Sequence, residues 1–156
     1  MTNLIKRVYV DTSVVGGRFD KEFAVLTAPF WNAVLNREIT IIVSDLLERE
    51  LEKSPQHVRE FFASLPESIK EHVAETEESD ILADKYITEK VVGRTSLDDC
   101  KHIAIATITK ADCLVSWNFK HIVNIARIRG YNGVNMLLGY PQLEIRTPCE
   151  VINDET

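Results

Sequence analysis

Three acidic side chains, Asp11, Glu50 and Asp99, occupy positions at which carboxylates could do chemistry. Asp11 directly follows a short β-prone run, and Asp99 lies near the start of a segment with helical periodicity. Carboxylates that converge repel one another, and a hard divalent cation relieves this repulsion because it prefers oxygen ligands. A bound ion of this kind activates water for phosphodiester cleavage. Because acidic residues are common, spacing alone is weakly specific for this chemistry.

Helical phase separates Glu50 from the acidic residues beside it. Glu50 comes four residues after Leu46 and three after Leu47, so it shares their apolar stripe. Glu48 and Glu52 fall on another side of the same predicted helix and are interpreted as a solvated face. An inward carboxylate is costly unless it is paired or binds a metal ion. Glu50 is therefore the predicted functional glutamate.

The acidic residues also have ordinary structural interpretations. Asp11 could serve only as a turn or helix-cap aspartate. Ser96 and Asp99 have the spacing of a capping box, although Asp99 also falls on the side of Ile103, which we expect to face a sheet. His102 is interpreted as a surface or supporting histidine rather than as a catalytic base.

The elements that must position these side chains alternate along the chain. Apolar, β-prone runs lie at residues 7–10, 40–43, 113–117 and, less clearly, 143–146. Helix-compatible segments are predicted at residues 22–36, 45–53, 55–65, 77–90, 96–110 and 121–129. This alternation predicts a mostly parallel sheet with helices on both faces, formed by a single domain spanning residues 1–156 with a core at about 6–147. Ligands of such sheets bind at the carboxyl ends of the strands.

Charge is unevenly distributed along a chain whose formal net charge is −6. Residues 45–100 carry 7 basic and 15 acidic side chains, whereas residues 101–146 carry 6 and 2. The pattern fits an acidic site beside a basic rim, but it also fits differently solvated faces.

Composition and motifs exclude several classes of protein. The chain has 156 residues, 45% of them hydrophobic, which is ordinary for one globular domain. Its three cysteines form no C-x-x-C pair, which fits a reducing cytoplasm. No apolar run is long enough to span a bilayer, and we expect no secretory signal at the N-terminus. Glycine-rich phosphate-binding motifs and a G-x-S-x-G elbow are missing from the sequence.

Four segments together resemble the PIN-domain family, and in particular its small single-domain bacterial members similar to VapC toxins. They are VDTSV at residues 10–14, SDLLEREL at 44–51, DCKHIAIA at 99–106 and LVSWNF at 114–119. The segments occur in the family's order and cover nearly the whole chain. The resemblance implies a three-layer α/β/α sandwich and ribonuclease chemistry dependent on Mg²⁺ or Mn²⁺. It also implies a homodimer and, for toxin members, a partner antitoxin.

The resemblance assigns the family's acidic positions to Asp11, Glu50 and Asp99. A fourth acidic position falls on Asn118, which is neutral and a weaker ligand, so reduced cleavage is an open alternative. Ser13 and Asn118 are the expected auxiliary oxygen ligands. A rival interpretation is a non-catalytic PIN-like module that binds RNA or a protein.

A basic and aromatic segment follows the last predicted apolar strand run. Stacking and phosphate contacts there could hold single-stranded RNA, although core aromatics beside a solvated helix face would give the same pattern. The predicted RNA contacts are Lys120, His121, Arg127 and Arg129.

Overall fold

A computed structural model of the chain describes residues 5–153. The expectation that the N-terminus carries no secretory signal concerns a segment that starts at residue 1, outside the described residues. The described strands are β1 (Arg7–Val10), β2 (Thr40–Ser44), β3 (Lys70–Val73), β4 (Cys113–Val115) and β5 (Ile145–Arg146). The described helices are α1 (Thr12–Gly17), α2 (Ala24–Leu35), α3 (Asp45–Leu51), α4 (Gln56–Ser64), α5 (Glu77–Thr88), α6 (Leu97–Ile108), α7 (Ile125–Leu137) and α8 (Pro148–Asn153).

The five strands form one sheet in which every pairing is parallel, in the order β3-β2-β1-β4-β5. Alternate side chains of the central strands enter two separate cores, because successive residues of a strand point to opposite faces. Val8, Val10 and Val115 pack on the side that holds α2, whereas Tyr9 and Leu114 pack on the side that holds α6. The predicted three-layer α/β/α architecture is thus confirmed.

Strand order places the switch in winding direction at β1. The chain moves from β1 to β2 and β3 on one side, and then returns to β4 and β5 on the other. Open parallel sheets bind ligands outside the carboxyl ends of the strands at such a point. Residues after β1 and β4 therefore share the edge at which a site is expected.

Several elements differ from those predicted. The strand predicted at residues 113–117 ends at Val115, and the helix predicted at residues 121–129 begins at Ile125 and continues to Leu137. The edge strand β3 and the helix α8 were not predicted. β3 carries the polar sequence KEHV, because one of its long edges has no neighbouring strand in the described sheet.

No helix within residues 5–153 combines the length and the hydrophobicity needed to cross a membrane. The cysteines are free, with Cys100 and Cys113 buried.

Candidate functional site

Asp11 lies at the carboxyl end of β1, where it caps α1. Its side chain is buried at 5% exposure. Oδ1 accepts hydrogen bonds from Ser13 Oγ at 2.6 Å and from the backbone N of Val14 at 3.2 Å. Oδ2 accepts one from Ser116 Oγ, 2.6 Å away at the end of β4. Burial raises the pKa of Asp11, and these donors oppose the rise only in part.

Glu50 reaches the same edge of the sheet from α3. Ser44 caps this helix by accepting a hydrogen bond from the backbone N of Leu47, and the apolar face around Leu47 is buried. Glu50 is partly buried, and its Oε1 accepts hydrogen bonds from Thr12 Oγ1 at 2.5 Å and His102 Nε2 at 2.7 Å. Although burial opposes ionisation, the hydrogen bond and positive potential of His102, with Thr12, lower the pKa of Glu50.

The neighbouring glutamates of α3 are exposed. Glu48 Oε1 lies 3.1 Å from His72 Nδ1 on the outer surface, and Glu52 is also exposed. The structure thus directs Glu50, and not Glu48, toward Asp11.

His102 is almost completely buried, at 2% exposure, and joins Glu50 to a chain of hydroxyl groups. Its Nδ1 lies 2.6 Å from the hydroxyl of Tyr9, which lies 2.7 Å from Ser44 Oγ. An ionised carboxylate only accepts hydrogen bonds, so Nε2 donates to Glu50. The hydroxyl of Tyr9 then bridges Nδ1 and Ser44 Oγ within hydrogen-bonding distance of both. Every group in this chain is satisfied, which fixes the position of Glu50.

Asp99 enters from the first turn of α6 and is partly buried. Its Oδ2 lies 3.4 Å from Nδ2 of Asn118. Burial raises the pKa of Asp99; the positive potentials of His102 and His121 oppose the rise, and the negative charges of Asp11 and Glu50 add to it. The pKa values of Asp11 and Asp99 are therefore raised, whereas that of Glu50 is lowered.

Asn118 organises the turn that follows β4. Its Oδ1 accepts hydrogen bonds from the backbone N atoms of Lys120, at 3.1 Å, and His121, at 2.9 Å. The amide oxygen is thus engaged with the backbone, while the amide nitrogen faces Asp99. Ser13 Oγ also holds this turn, since it accepts a hydrogen bond from the backbone N of Trp117 at 2.9 Å.

These side chains line one pocket of about 400 Å³, here called the acidic pocket. Its predicted members are Asp11, Ser13, Glu50, Asp99 and Asn118, and its further members include Thr12, Lys53, Asp98 and His102. Among residues 5–153, no three His, Cys, Asp or Glu side chains are close enough to form a ready-made metal cluster.

Two observations bear on whether the acidic pocket fits a divalent cation. Its donors are hard carboxylate oxygens, the type that Mg²⁺ and Mn²⁺ prefer. Burial raises the pKa values of Asp11 and Asp99 because it disfavours their ionised forms, and a bound cation would favour those forms. The donor types therefore suit such an ion, although the described carboxylates are not grouped closely enough to form a ready-made cluster.

The four residues predicted to contact RNA do not line the acidic pocket. Lys120 is exposed on the turn beside Asn118. His121 lies near Asp99, and its positive potential opposes the rise in the pKa of Asp99. The guanidinium of Arg127 donates to the carbonyl of Val91 at 2.5 Å, which ties it to the chain after α5. Arg129 is exposed on α7.

Of the two residues that support Glu50 through this hydrogen-bonded chain, the sequence indicates His102 but not Tyr9. The alternation of β1 could have identified Tyr9, because it places that side chain on the α6 side of the sheet.

A comparison with solved structures supports this arrangement at the level of fold. A chain in the crystal structure of VapBC2 from Rickettsia felis, bound to a DNA fragment from their promoter, aligns with a TM-score of 0.55 and 16% sequence identity. The alignment covers 90% of this chain and 98% of that chain. The fold is PIN-like. No family model and no curated protein matches the sequence. The acidic pocket lies at the switch point of this PIN-like fold.

Proposed function

We propose that this chain is a metal-dependent endoribonuclease that hydrolyses phosphodiester bonds of RNA. The observation that carries the proposal is the convergence of Asp11, Glu50 and Asp99 on one pocket at the switch point of a PIN-like fold. Buried acids are costly to keep together. A fold alone would not need three of them here, and the similarity to a VapBC2 structure agrees with this function.

Asp11, Glu50 and Asp99 would hold one or two Mg²⁺ or Mn²⁺ ions, and Ser13 would assist through its hydroxyl oxygen. Asn118, proposed as a further oxygen ligand, would instead assist through its amide nitrogen, which donates to Asp99, because two backbone N–H groups already engage its oxygen. The chemistry supplied when such an ion is bound is a water of lowered pKa and a charge that offsets the developing negative charge on phosphate. The chain's own residues orient this site. Thr12 and His102 fix Glu50, while Ser13 and Ser116 fix Asp11.

Lys53 is the lysine among the residues that line the acidic pocket, and its side chain is exposed. An exposed ammonium at the mouth of an acidic cavity attracts a phosphate that the carboxylates alone would repel. We assign to Lys53 the contact with the RNA backbone, with Lys120 and His121 following on the neighbouring turn.

We further propose that the enzyme is the toxin of a type II toxin–antitoxin pair or an orphan relative, and that it acts as a homodimer in the cytoplasm. The similarity to the VapBC2 structure supports the toxin–antitoxin part of this proposal. Co-purification with the product of a small adjacent reading frame, which also inhibits cleavage, would establish the pair. Light scattering would give the oligomeric state.

A second candidate function is a catalytically weakened PIN-like module that binds RNA or a protein. The observation in its favour is Asn118, whose Oδ1 is engaged by two backbone N–H groups.

Cleavage of single-stranded RNA by the purified chain tests the main proposal. We expect cleavage with Mn²⁺ or Mg²⁺, none with excess EDTA, and none in Asp11→Asn or Asp99→Asn. Glu48→Gln is the matched control, because Glu48 lies outside the acidic pocket. Cleavage that survives both EDTA and the two substitutions would refute the proposal. Binding of RNA without any cleavage would favour the second candidate.

A further inference from the structure

A second cavity, of about 410 Å³, adjoins the acidic pocket and is called here the aromatic groove. Ser13 and Asn118 line both cavities, so the two share a wall. The rings that line the aromatic groove belong to Phe19, Phe23, His57 and Trp117.

The base of the aromatic groove is rigid. Phe23 and Trp117 are stacked, with ring centroids 4.5 Å apart and an interplanar angle of 14°. The indole Nε1 of Trp117 donates to Thr27 Oγ1 at 3.0 Å, which fixes the ring in its plane. Gly17 packs directly against this indole. The groove is therefore largely preformed and does not need to be assembled by a ligand.

Two exposed aromatic rings flank this base: Phe19, which lines the aromatic groove, and Phe119, which borders it without lining it. Phe119 is 51% exposed, and its ring centroid lies 6.1 Å from that of Trp117 and 6.3 Å from that of Phe23. Phe19 is 41% exposed and makes an edge contact with His57 at 4.7 Å. Large apolar surface left in water beside a polar site is typical of a ligand-binding groove.

We propose that the aromatic groove binds an unpaired nucleobase of the RNA strand whose backbone lies over the acidic pocket, an inference that rests on the proposed function. Bases stack on aromatic side chains with little regard to sequence. The shared wall at Ser13 and Asn118 brings the base next to the bond to be cleaved. A base in a duplex is not free to enter, so the groove selects single-stranded RNA.

Charge at the aromatic groove favours a nucleotide over an apolar peptide. The guanidinium of Arg18 lies 4.4 Å from the ring centre of Phe61 and 5.8 Å from that of Phe19, so a cation stands at the edge of the groove. A nucleotide brings both a planar ring and a phosphate that such a cation attracts. The acidic lining residue, Asp20, accepts a hydrogen bond from the backbone N of Glu22 and so belongs to the turn before α2.

Binding of a fluorescent oligouridylate, measured with EDTA so that no metal-dependent cleavage occurs, tests the proposal. We expect Phe119→Ala and Phe19→Ala each to weaken binding by about tenfold, since one lost stacking contact has this effect. Leu137→Ala is the control, because Leu137 is exposed but lies outside the groove. The same oligonucleotide without bases should bind wild type and the variants equally.

Equal affinity of wild type and both phenylalanine variants for the base-bearing oligonucleotide would overturn the proposal and leave an apolar protein segment as the candidate occupant. An equal loss for the abasic oligonucleotide would also overturn it. A cleavage assay separates the two proposals. Mn²⁺-dependent cleavage with no effect of the variants on binding would leave the proposed function standing without the base site. A base-dependent loss of binding in the variants, together with no cleavage by the wild type, would leave the base site standing without the proposed function.

Discussion

His102 Nε2 and Glu50 Oε1 lie 2.7 Å apart, although the two residues are separated by 52 positions in the chain. Further hydrogen bonds connect His102 to Tyr9 and Tyr9 to Ser44, the residue that caps the helix carrying Glu50. One buried hydrogen-bonded chain thus fixes both the carboxylate and the start of its helix. In the proposed metal site, a carboxylate held in this way would lose less conformational freedom on binding a cation.

Removing the imidazole of His102 should weaken metal binding, because Glu50 loses a hydrogen-bond donor that positions it. We expect His102→Gln to reduce Mn²⁺ affinity by roughly tenfold, the scale known for supporting residues of metal sites. Tyr9→Phe, which keeps the bond between His102 and Glu50, should have a smaller effect on affinity. Calorimetric titration with Mn²⁺ measures both. Equal losses of Mn²⁺ affinity in the two variants would mean that the whole series of hydrogen bonds from Ser44 to His102, rather than the imidazole alone, positions Glu50.

Neutralising Asp99 should stabilise the metal-free protein at neutral pH. The pKa of Asp99 is raised in the fold, so the folded state resists ionisation more than the unfolded state does. Wild type therefore loses stability as the pH rises from the unfolded pKa of about 4 through the higher folded pKa, and Asp99→Asn avoids this loss. Urea unfolding across this pH range should show the advantage of the variant growing with pH and vanishing in acid. An advantage that is independent of pH would contradict this explanation.

Neutralising Glu50 should have the opposite effect on stability. The pKa of Glu50 is lowered, so its ionised form contributes stability above the unfolded pKa, and this contribution is lost as the pH falls through the folded pKa. We expect Glu50→Gln to destabilise the metal-free protein by about 1 kcal/mol at neutral pH. The variant should also lose the stabilisation that we expect Mn²⁺ to give the wild type by binding its folded state. Glu48→Gln, a change of the same kind in the same helix, should do neither. Thermal melts with and without Mn²⁺ distinguish the two variants.

Asn118→Asp should tighten Mn²⁺ binding and lower the stability of the metal-free protein. The amide nitrogen of Asn118 lies 3.4 Å from Asp99 Oδ2, so a carboxylate oxygen there would add repulsion in the empty site. A bound cation removes that repulsion and gains a charged ligand. Titration calorimetry and melting at one pH test both signs. Unchanged affinity and stability would make Asn118 a turn residue only.

Adjacent glycines of α1 should respond differently to an added methyl group. A Cβ at Gly17 would lie 2.9 Å from the indole of Trp117, whereas a Cβ at Gly16 would meet nothing within 4 Å. We expect Gly17→Ala to cost about 1–3 kcal/mol through overpacking, while Gly16→Ala is neutral or slightly stabilising. Denaturant unfolding compares the pair. Similar stabilities would show that Trp117 yields without cost.

The sequence alone predicted the alternating architecture and the edge of the sheet at which the acids lie. It could do so because apolar strands and helix caps are local signals. Asp11 follows β1, and the cap at Ser44 sets where α3 begins and so which side of the helix carries Glu50. It did not predict β3, whose polar edge residues lack the apolar pattern of a buried strand. Asn132 and Gly133 are of residue types that are common in turns, yet α7 runs through both.

Tertiary contacts decided these remaining features. The side chain of Asn132 exchanges hydrogen bonds with the backbone of Leu143, so a residue typical of turns is satisfied inside a helix. The burial of His102 and its bond to Glu50 likewise depend on side chains from α3 and α6 meeting at the carboxyl edge of the sheet. Local propensity records only what a segment prefers by itself, whereas the electrostatics of the acidic pocket arise from groups that the chain brings together over long separations.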